Sequence, residues 1–232
     1  MRHSFKHDQM LHTRMAPTVP AVPTAAWTPV RILIAVGAAG PIVFLAVATL
    51  VGLLDPSYDI RTRTVSELAV GPHGWLQTAN FFAFGLAIVA FAASLYGGLR
   101  RGSIAGMLLL VVAGLGIFAA GIYPTDLQGA PETATGHIHN MLFLVIFFAL
   151  ILSYIFNALA LRKVPGWRGH ALYTALTAAA VFGLLLVFAI FAGDVGDPLH
   201  GVAGLIERVL IGVAMGWISL TGGRLLARGT AR

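Results

Sequence analysis

Six apolar blocks dominate the sequence, at approximately 31–54, 75–98, 103–122, 138–161, 171–193 and 203–226. Each is long enough to cross about 30 Å of hydrocarbon as a helix. A chain built this way has few folds open to it. In a bilayer every backbone N–H and C=O needs an internal partner, which leaves helices or a closed barrel. The blocks lack the apolar/polar alternation of a lipid-facing strand, so a barrel is excluded. Composition points the same way, because only 10% of residues are charged, against about a quarter in an ordinary soluble domain. The expected fold is all-α, a polytopic membrane protein with a six-transmembrane-helix bundle. Residues 1–30 are expected to be a disordered cytoplasmic tail, 31–226 the membrane domain, and 227–232 a short cytoplasmic tail.

The amino-terminal arm carries His3, His7 and His12 and then Pro17, Pro20, Pro23 and Pro29. It has no apolar core ahead of those prolines, so it does not read as a cleavable signal peptide. The Leu99-Arg100-Arg101-Gly102 link is short enough to make the second and third blocks a tight antiparallel pair. No block-length repeat is visible, which argues against an inverted-repeat transporter.

Orientation follows from charge. With the amino terminus inside, the cytoplasmic segments hold Arg2, Lys6, Arg14, Arg31, Arg100, Arg101, Arg162, Lys163, Arg168, Arg224, Arg228 and Arg232, which is 12 of the 15 basic residues. Only Arg61, Arg63 and Arg208 fall on the other side, whereas eight of the nine acids do, Asp8 being the exception. Both termini are therefore expected in the cytoplasm of a multi-pass cell-membrane protein. The net charge of +6 sits at block ends rather than on one soluble face, so no nucleic-acid partner is expected. The absence of cysteine excludes disulfides, thiolate metal sites and thiol nucleophiles.

The outer loops hold nearly every unusual side chain. In the first, Thr64 and Glu67 have capping-box spacing and Gly71-Pro72 makes a stop, which predicts a short helix near 65–70. The third contains Asp126 and leads through His137, His139 and Asn140 into the fourth block. On a regular helix residues two apart diverge, so His137 and His139 could share a metal only if His137 precedes the helix. The fifth supplies Asp194, Asp197 and His200, and the sixth block then carries Glu207 and Arg208 about one turn into the bilayer. Gly204, Arg208, Gly212 and Gly216 repeat every four residues and form one stripe, where small residues allow close helix approach. Arg208 is expected to face the bundle, with Asp126 as a candidate partner; His139 or Arg63 is the candidate for Glu207. Gln77 and Asn80 share a face near the same surface. Thus His73, Gln77, Asn80, Asp126, His137, His139, Asn140, Asp194, His200, Glu207 and Arg208 converge at one depth, and ionisable groups inside a membrane default to a functional role. On the cytoplasmic side, Trp167, Arg168 and His170 read as interface anchors.

Ile122-Tyr-Pro124-Thr-Asp126, then Gly136-His137-Ile-His139, then Glu207-Arg208 at the start of the last block, resembles a family of prokaryotic integral membrane proteins catalogued as domain of unknown function 998. The resemblance covers about 31–226. It implies six helices and singles out Asp126, His139 (or His137) and Glu207-Arg208; it implies no substrate.

The expected function is an outward-facing His/carboxylate/Arg pocket that binds a membrane lipid or amphiphile headgroup, through Asp126, His139, Asn140, Glu207, Arg208 and Asn80. Arg208 would neutralise a phosphate or carboxylate. One alternative is a metal-dependent hydrolase acting on lipid, with zinc as its cofactor, held by His137, His139 and His200 or by His139, His200 and Asp126. A second is an accessory subunit of a membrane complex. A transporter or channel is disfavoured, because the middle and inner thirds carry little polarity beyond Ser94, Ser153, Tyr154, Asn157, Thr174 and Thr177. No feature of the sequence sets an oligomeric state.

Overall fold

The computed structural model describes residues 28–98 and 103–229. The expected disordered tail up to residue 27, the link at 99–102 and residues 230–232 lie outside the described residues. Within them the chain forms α1 (Pro29–Leu53), α2 (Gly74–Gly98), α3 (Ile104–Ile122), α4 (Ala134–Leu161), α5 (Arg168–Phe191) and α6 (Ala203–Gly229). All six are long and apolar enough to cross a membrane, and no strand occurs among the described residues.

Caps explain several of the helix starts. Thr28, Ser103 and Thr133 each accept the amide three residues on, from Arg31, Gly106 and Gly136. Each cap satisfies a donor that the first turn would otherwise leave orphaned. Thr133 starts α4 at residue 134 rather than the expected 138, so His137 is already helical. A separate 3-10 turn at Ser66–Ala69 sits where the short loop helix is expected. Its start is not a capping box: Val65 is its N-cap without a side-chain bond, and Glu67 is engaged elsewhere.

Each helix packs on its neighbours in sequence, and α6 closes the ring on α1. Ser219 Oγ donates to the Ala38 carbonyl at 2.7 Å across that closure, and a Cβ on Gly222 would lie 2.6 Å from Ala38 Cβ. Glycine is needed there to let the two backbones meet. Trp217, Tyr154, Phe91 and Ile88 fill the centre, while Leu50, Leu86, Leu115, Leu172 and Leu220 are exposed around the outside. An apolar exterior is what a lipid solvent asks for.

Two expectations about packing are corrected. In the glycine stripe of α6, Gly204 lies hard against the Ile60 and Arg63 carbonyls, but Gly212 and Gly216 face open space. The stripe marks where a loop docks, not a helix crossing. Trp167 and His170 are not interface anchors either, being 2% and 8% exposed. Thr221 is 2.8 Å from His170 Nε2, and Trp217 Nε1 donates to Thr174 at 2.8 Å. Deeper polar residues are similarly engaged: Tyr154 donates to the Ala214 carbonyl at 2.7 Å and Ser153 to the Gly106 carbonyl at 2.8 Å.

Candidate functional site

The loop joining α1 to α2 folds into the mouth of the bundle and is held there by buried charges. Glu207, one turn into α6 and 3% exposed, accepts the Val65 amide on Oε2 at 2.6 Å. Arg208 Nη1 donates to the carbonyls of Ile60, Arg63 and Gly204 at 3.2, 3.0 and 2.9 Å, and Nη2 donates to the Tyr58 hydroxyl. The Arg63 and Arg208 guanidinium carbons stand 5.3 and 5.6 Å from the Tyr58 ring centre. Tyr58 lies in the loop, and burial pushes its hydroxyl up to about 12 against the opposing pull of Arg208. At the loop start, hydrogen bonds from the Ser57 hydroxyl and amide hold the Asp55 carboxyl below its usual range.

Glu67 is 2% exposed. Arg63 Nε meets its Oε2 at 2.6 Å, and the Gln128 amide donates to Oε1 at 3.3 Å. This carboxylate therefore ties the α1–α2 loop to the α3–α4 loop. An unpaired buried carboxylate would be costly, and the Arg63 partner offsets that cost.

These contacts correct the expected pairings. Arg208 does not meet Asp126, and Glu207 meets neither His139 nor Arg63. Asp126 instead crowns α4, accepting the Thr133 amide on Oδ2 and the Thr133 hydroxyl on Oδ1, both at 2.8 Å. A carboxylate over a helix start is favoured by the dipole. His137 is exposed and pairs with Glu132 at 3.0 Å, while His139, two residues on, is 5% exposed and turns inward. The two rings diverge, so they do not form a metal pair. His200 is placed away from both, beside Thr62, Arg63 and Gln128. Among the described residues no three His, Asp or Glu side chains are grouped as a metal ion would need.

His139 is fixed at both ring nitrogens. Nδ1 lies 2.8 Å from the Tyr123 carbonyl, which can only accept, so Nδ1 carries a proton. Nε2 lies 2.9 Å from Ser66 Oγ. In the neutral imidazole Nε2 is thus the acceptor of the Ser66 hydroxyl proton.

Two cavities meet at this point. The outer one, of about 380 Å³, is lined by Glu67, Asp126, Glu132, Asp194, Glu207 and Asn140 among others. The inner one, of about 50 Å³, is apolar and largely aromatic, walled by Phe44, Phe81, Phe84, Phe147, Ile117 and Met215. Ser66, His139, Phe143 and Glu207 line both. Among the described residues, every ionisable group on the outer wall is a carboxyl or a histidine.

Of the residues singled out in the sequence, Asp126, His139, Asn140, Asp194 and Glu207 come together on the outer cavity. Arg208, Asn80, His137 and His200 do not. Arg208 is spent on the loop, and Asn80 donates to the Phe44 carbonyl at 2.9 Å inside the α1–α2 contact. Tyr58, Ser66 and Glu67 are missing from the expected set. The capping-box spacing drew Glu67 into local helix formation, and nothing in the sequence signals that Ser66 reaches His139 seventy-three positions away.

Fold and site define a class, the six-span helical membrane protein with a polar mouth over an apolar interior. A family model described as "Protein of unknown function (DUF998)" matches residues 38–224, and the chain belongs to that family. No curated protein and no solved structure matches it.

Proposed function

We propose that this protein binds an amphiphile, head in the outer cavity and tail leading into the inner one. The observation that carries this is the junction of an acidic, polar cavity with an apolar, phenylalanine-rich one through shared walls at Ser66, His139, Phe143 and Glu207. A polar solute would have no use for the inner chamber, and a pure hydrocarbon none for the outer. The chamber is narrow and suits the stem of a slender chain rather than a bulky ring. The outer wall refines the expected headgroup. With Arg208 committed to carbonyls, the described residues bring five carboxyl groups and no lysine or arginine to the wall around the head. A neutral or cationic head is favoured over a phosphate. On the positive-inside count this mouth opens away from the cytoplasm, with both termini inside.

The test is equilibrium binding of fluorescent alkyl amphiphiles to the protein in non-ionic micelles, comparing trimethylammonium and phosphate heads. Ala120, 5% exposed, lines the inner chamber, and Ala120→Leu would close it. Affinity for the trimethylammonium probe should fall tenfold or more, about 1.4 kcal/mol. Undiminished affinity in a folded Ala120→Leu variant would overturn the proposal. A preference for the phosphate head would overturn the charge assignment.

A further inference from the structure

We infer that the neck between the two cavities is an acyl-transfer centre in which Ser66 is the nucleophile and His139 its general base. The inference rests on the amphiphile-binding reading above, and it adds a reaction. Three features of a hydrolytic serine coincide there. Ser66 Oγ is 2.9 Å from His139 Nε2, within reach for proton transfer. The other ring nitrogen is oriented by the Tyr123 carbonyl at 2.8 Å, which selects the tautomer whose Nε2 is free to accept. Both residues line the two cavities, so an ester at the junction of polar head and apolar tail would lie beside the hydroxyl.

Neighbours support that assignment. Glu207 holds the Val65 amide at 2.6 Å, one residue before the nucleophile, and acts as a positioning residue. No other hydrogen bond is made to the Glu207 carboxyl among the described residues, and that carboxyl lines the neck. A carboxylate is not required as a third member behind the imidazole, since a backbone carbonyl already fixes the ring.

The chemistry balances with water as the only co-reactant. Ser66 Oγ attacks the ester carbonyl carbon while its proton passes to His139 Nε2. The carbon–oxygen bond to the leaving alcohol breaks, and the alcohol departs with that proton, leaving an acyl ester on Ser66. Water then attacks the acyl carbon, giving its proton to Nε2. The bond to Oγ breaks, Oγ takes the proton back, and a carboxylic acid leaves. The substrate class is a neutral- or cationic-headed amphiphile with an ester at the start of its chain.

The experiment treats the purified full chain in non-ionic detergent with an alkyl fluorophosphonate. This probe loses fluoride when a nucleophilic serine attacks its phosphorus, and the labelled peptide is read by mass spectrometry. Labelling should map to Ser66, vanish in Ser66→Ala, and slow on the order of 100-fold in His139→Gln. Because the chain has no cysteine, Ser66→Cys introduces the sole thiol. Its alkylation by iodoacetamide should be at least tenfold slower when combined with His139→Gln, an effect that loss of packing alone would not give. Binding of a non-hydrolysable alkyl ether trimethylammonium probe to the unmodified protein is measured beside it. Binding without labelling at Ser66, or a thiol whose reactivity ignores His139, would overturn the dyad and leave the binding reading standing. Neither binding nor labelling would bring down both.

Discussion

The two ends of the bundle bury polar side chains to similar depth and put them to opposite use. At the α5 start and α6 finish, His170, Thr174, Trp217 and Thr221 include no carboxylate or guanidinium and are bonded to one another or to backbone. They sit in packed surroundings with Phe91 and Tyr154 against Trp217. At the other end the polar set includes carboxyl groups and the half-buried Arg208 guanidinium, and these hold a loop in place while leaving His139, Ser66 and Glu207 on cavity walls. The difference teaches that polarity in a membrane interior is not by itself a site. A closed set of neutral bonds is structure; a half-used set beside a void is a place for a ligand.

If that contrast is right, the largest loss should come from Arg208→Leu. It strips donors from the Ile60, Arg63 and Gly204 carbonyls and from Tyr58, and leaves Glu207 without its adjacent cation. We expect a destabilisation of about 3–5 kcal/mol, read by reversible denaturation in mixed micelles. A loss under about 1 kcal/mol would mean that the loop is held by something else. Glu207→Gln is the sharper probe. The amide oxygen can still accept the Val65 N–H, so stability should drop only about 1 kcal/mol. Affinity for a cationic-headed amphiphile should nevertheless fall tenfold or more, because the carboxyl group at the neck is gone. Equal losses in both would erase the distinction between holding the loop and facing the ligand.

Tyr58 gives the same end a pH signature. Its folded value of about 12 exceeds the ordinary phenol value of about 10. The folded state therefore keeps the proton longer than the unfolded chain. The stabilisation is fully present below about pH 10 and is lost as pH rises toward 12. Tyr58→Phe should cost about 1–2 kcal/mol at neutral pH, and the cost should shrink across that window. A cost that grew with pH would reverse the sign and refute the assignment. At the α5 start, Thr221→Val removes one partner of His170 and should cost about 1 kcal/mol without touching amphiphile binding.

How much of this was legible beforehand divides along the same line. Helix number and location follow from bilayer thickness, and α1, α2, α3 and α6 begin within two residues of the expected positions. The Thr133 cap starts α4 four residues ahead of the expected 138, which puts His137 as well as His139 inside the helix. Asp126, His139 and Glu207 stand out because charges and imidazoles are costly in lipid, so a one-dimensional scan finds them. Their partners are another matter. Arg208 satisfies itself on backbone carbonyls, which every residue carries and no sequence distinguishes. Ser66 and Tyr58 are ordinary loop residues until the loop folds back, and a long-range contact of that kind leaves no periodic trace.

Gln77 marks the limit of the contrast, for it lies at the charged end yet belongs to neither cavity. Its Oε1 accepts from Asn80 Nδ2 at 3.2 Å, while its Nε2 is buried without a hydrogen-bond partner among the described residues. Asn80 Nδ2 also donates to the Phe44 carbonyl at 2.9 Å, so it keeps a partner if Gln77 is removed. Gln77→Met preserves the volume, gives up one weak amide–amide bond, and removes an orphaned donor whose desolvation costs about 1–3 kcal/mol. The net change should lie within about 1 kcal/mol of zero, with stabilisation the expected direction. Amphiphile binding should be unaltered. A loss of several kcal/mol would instead assign Gln77 a bonded partner, water included, and would move it from helix packing into the polar network of the mouth.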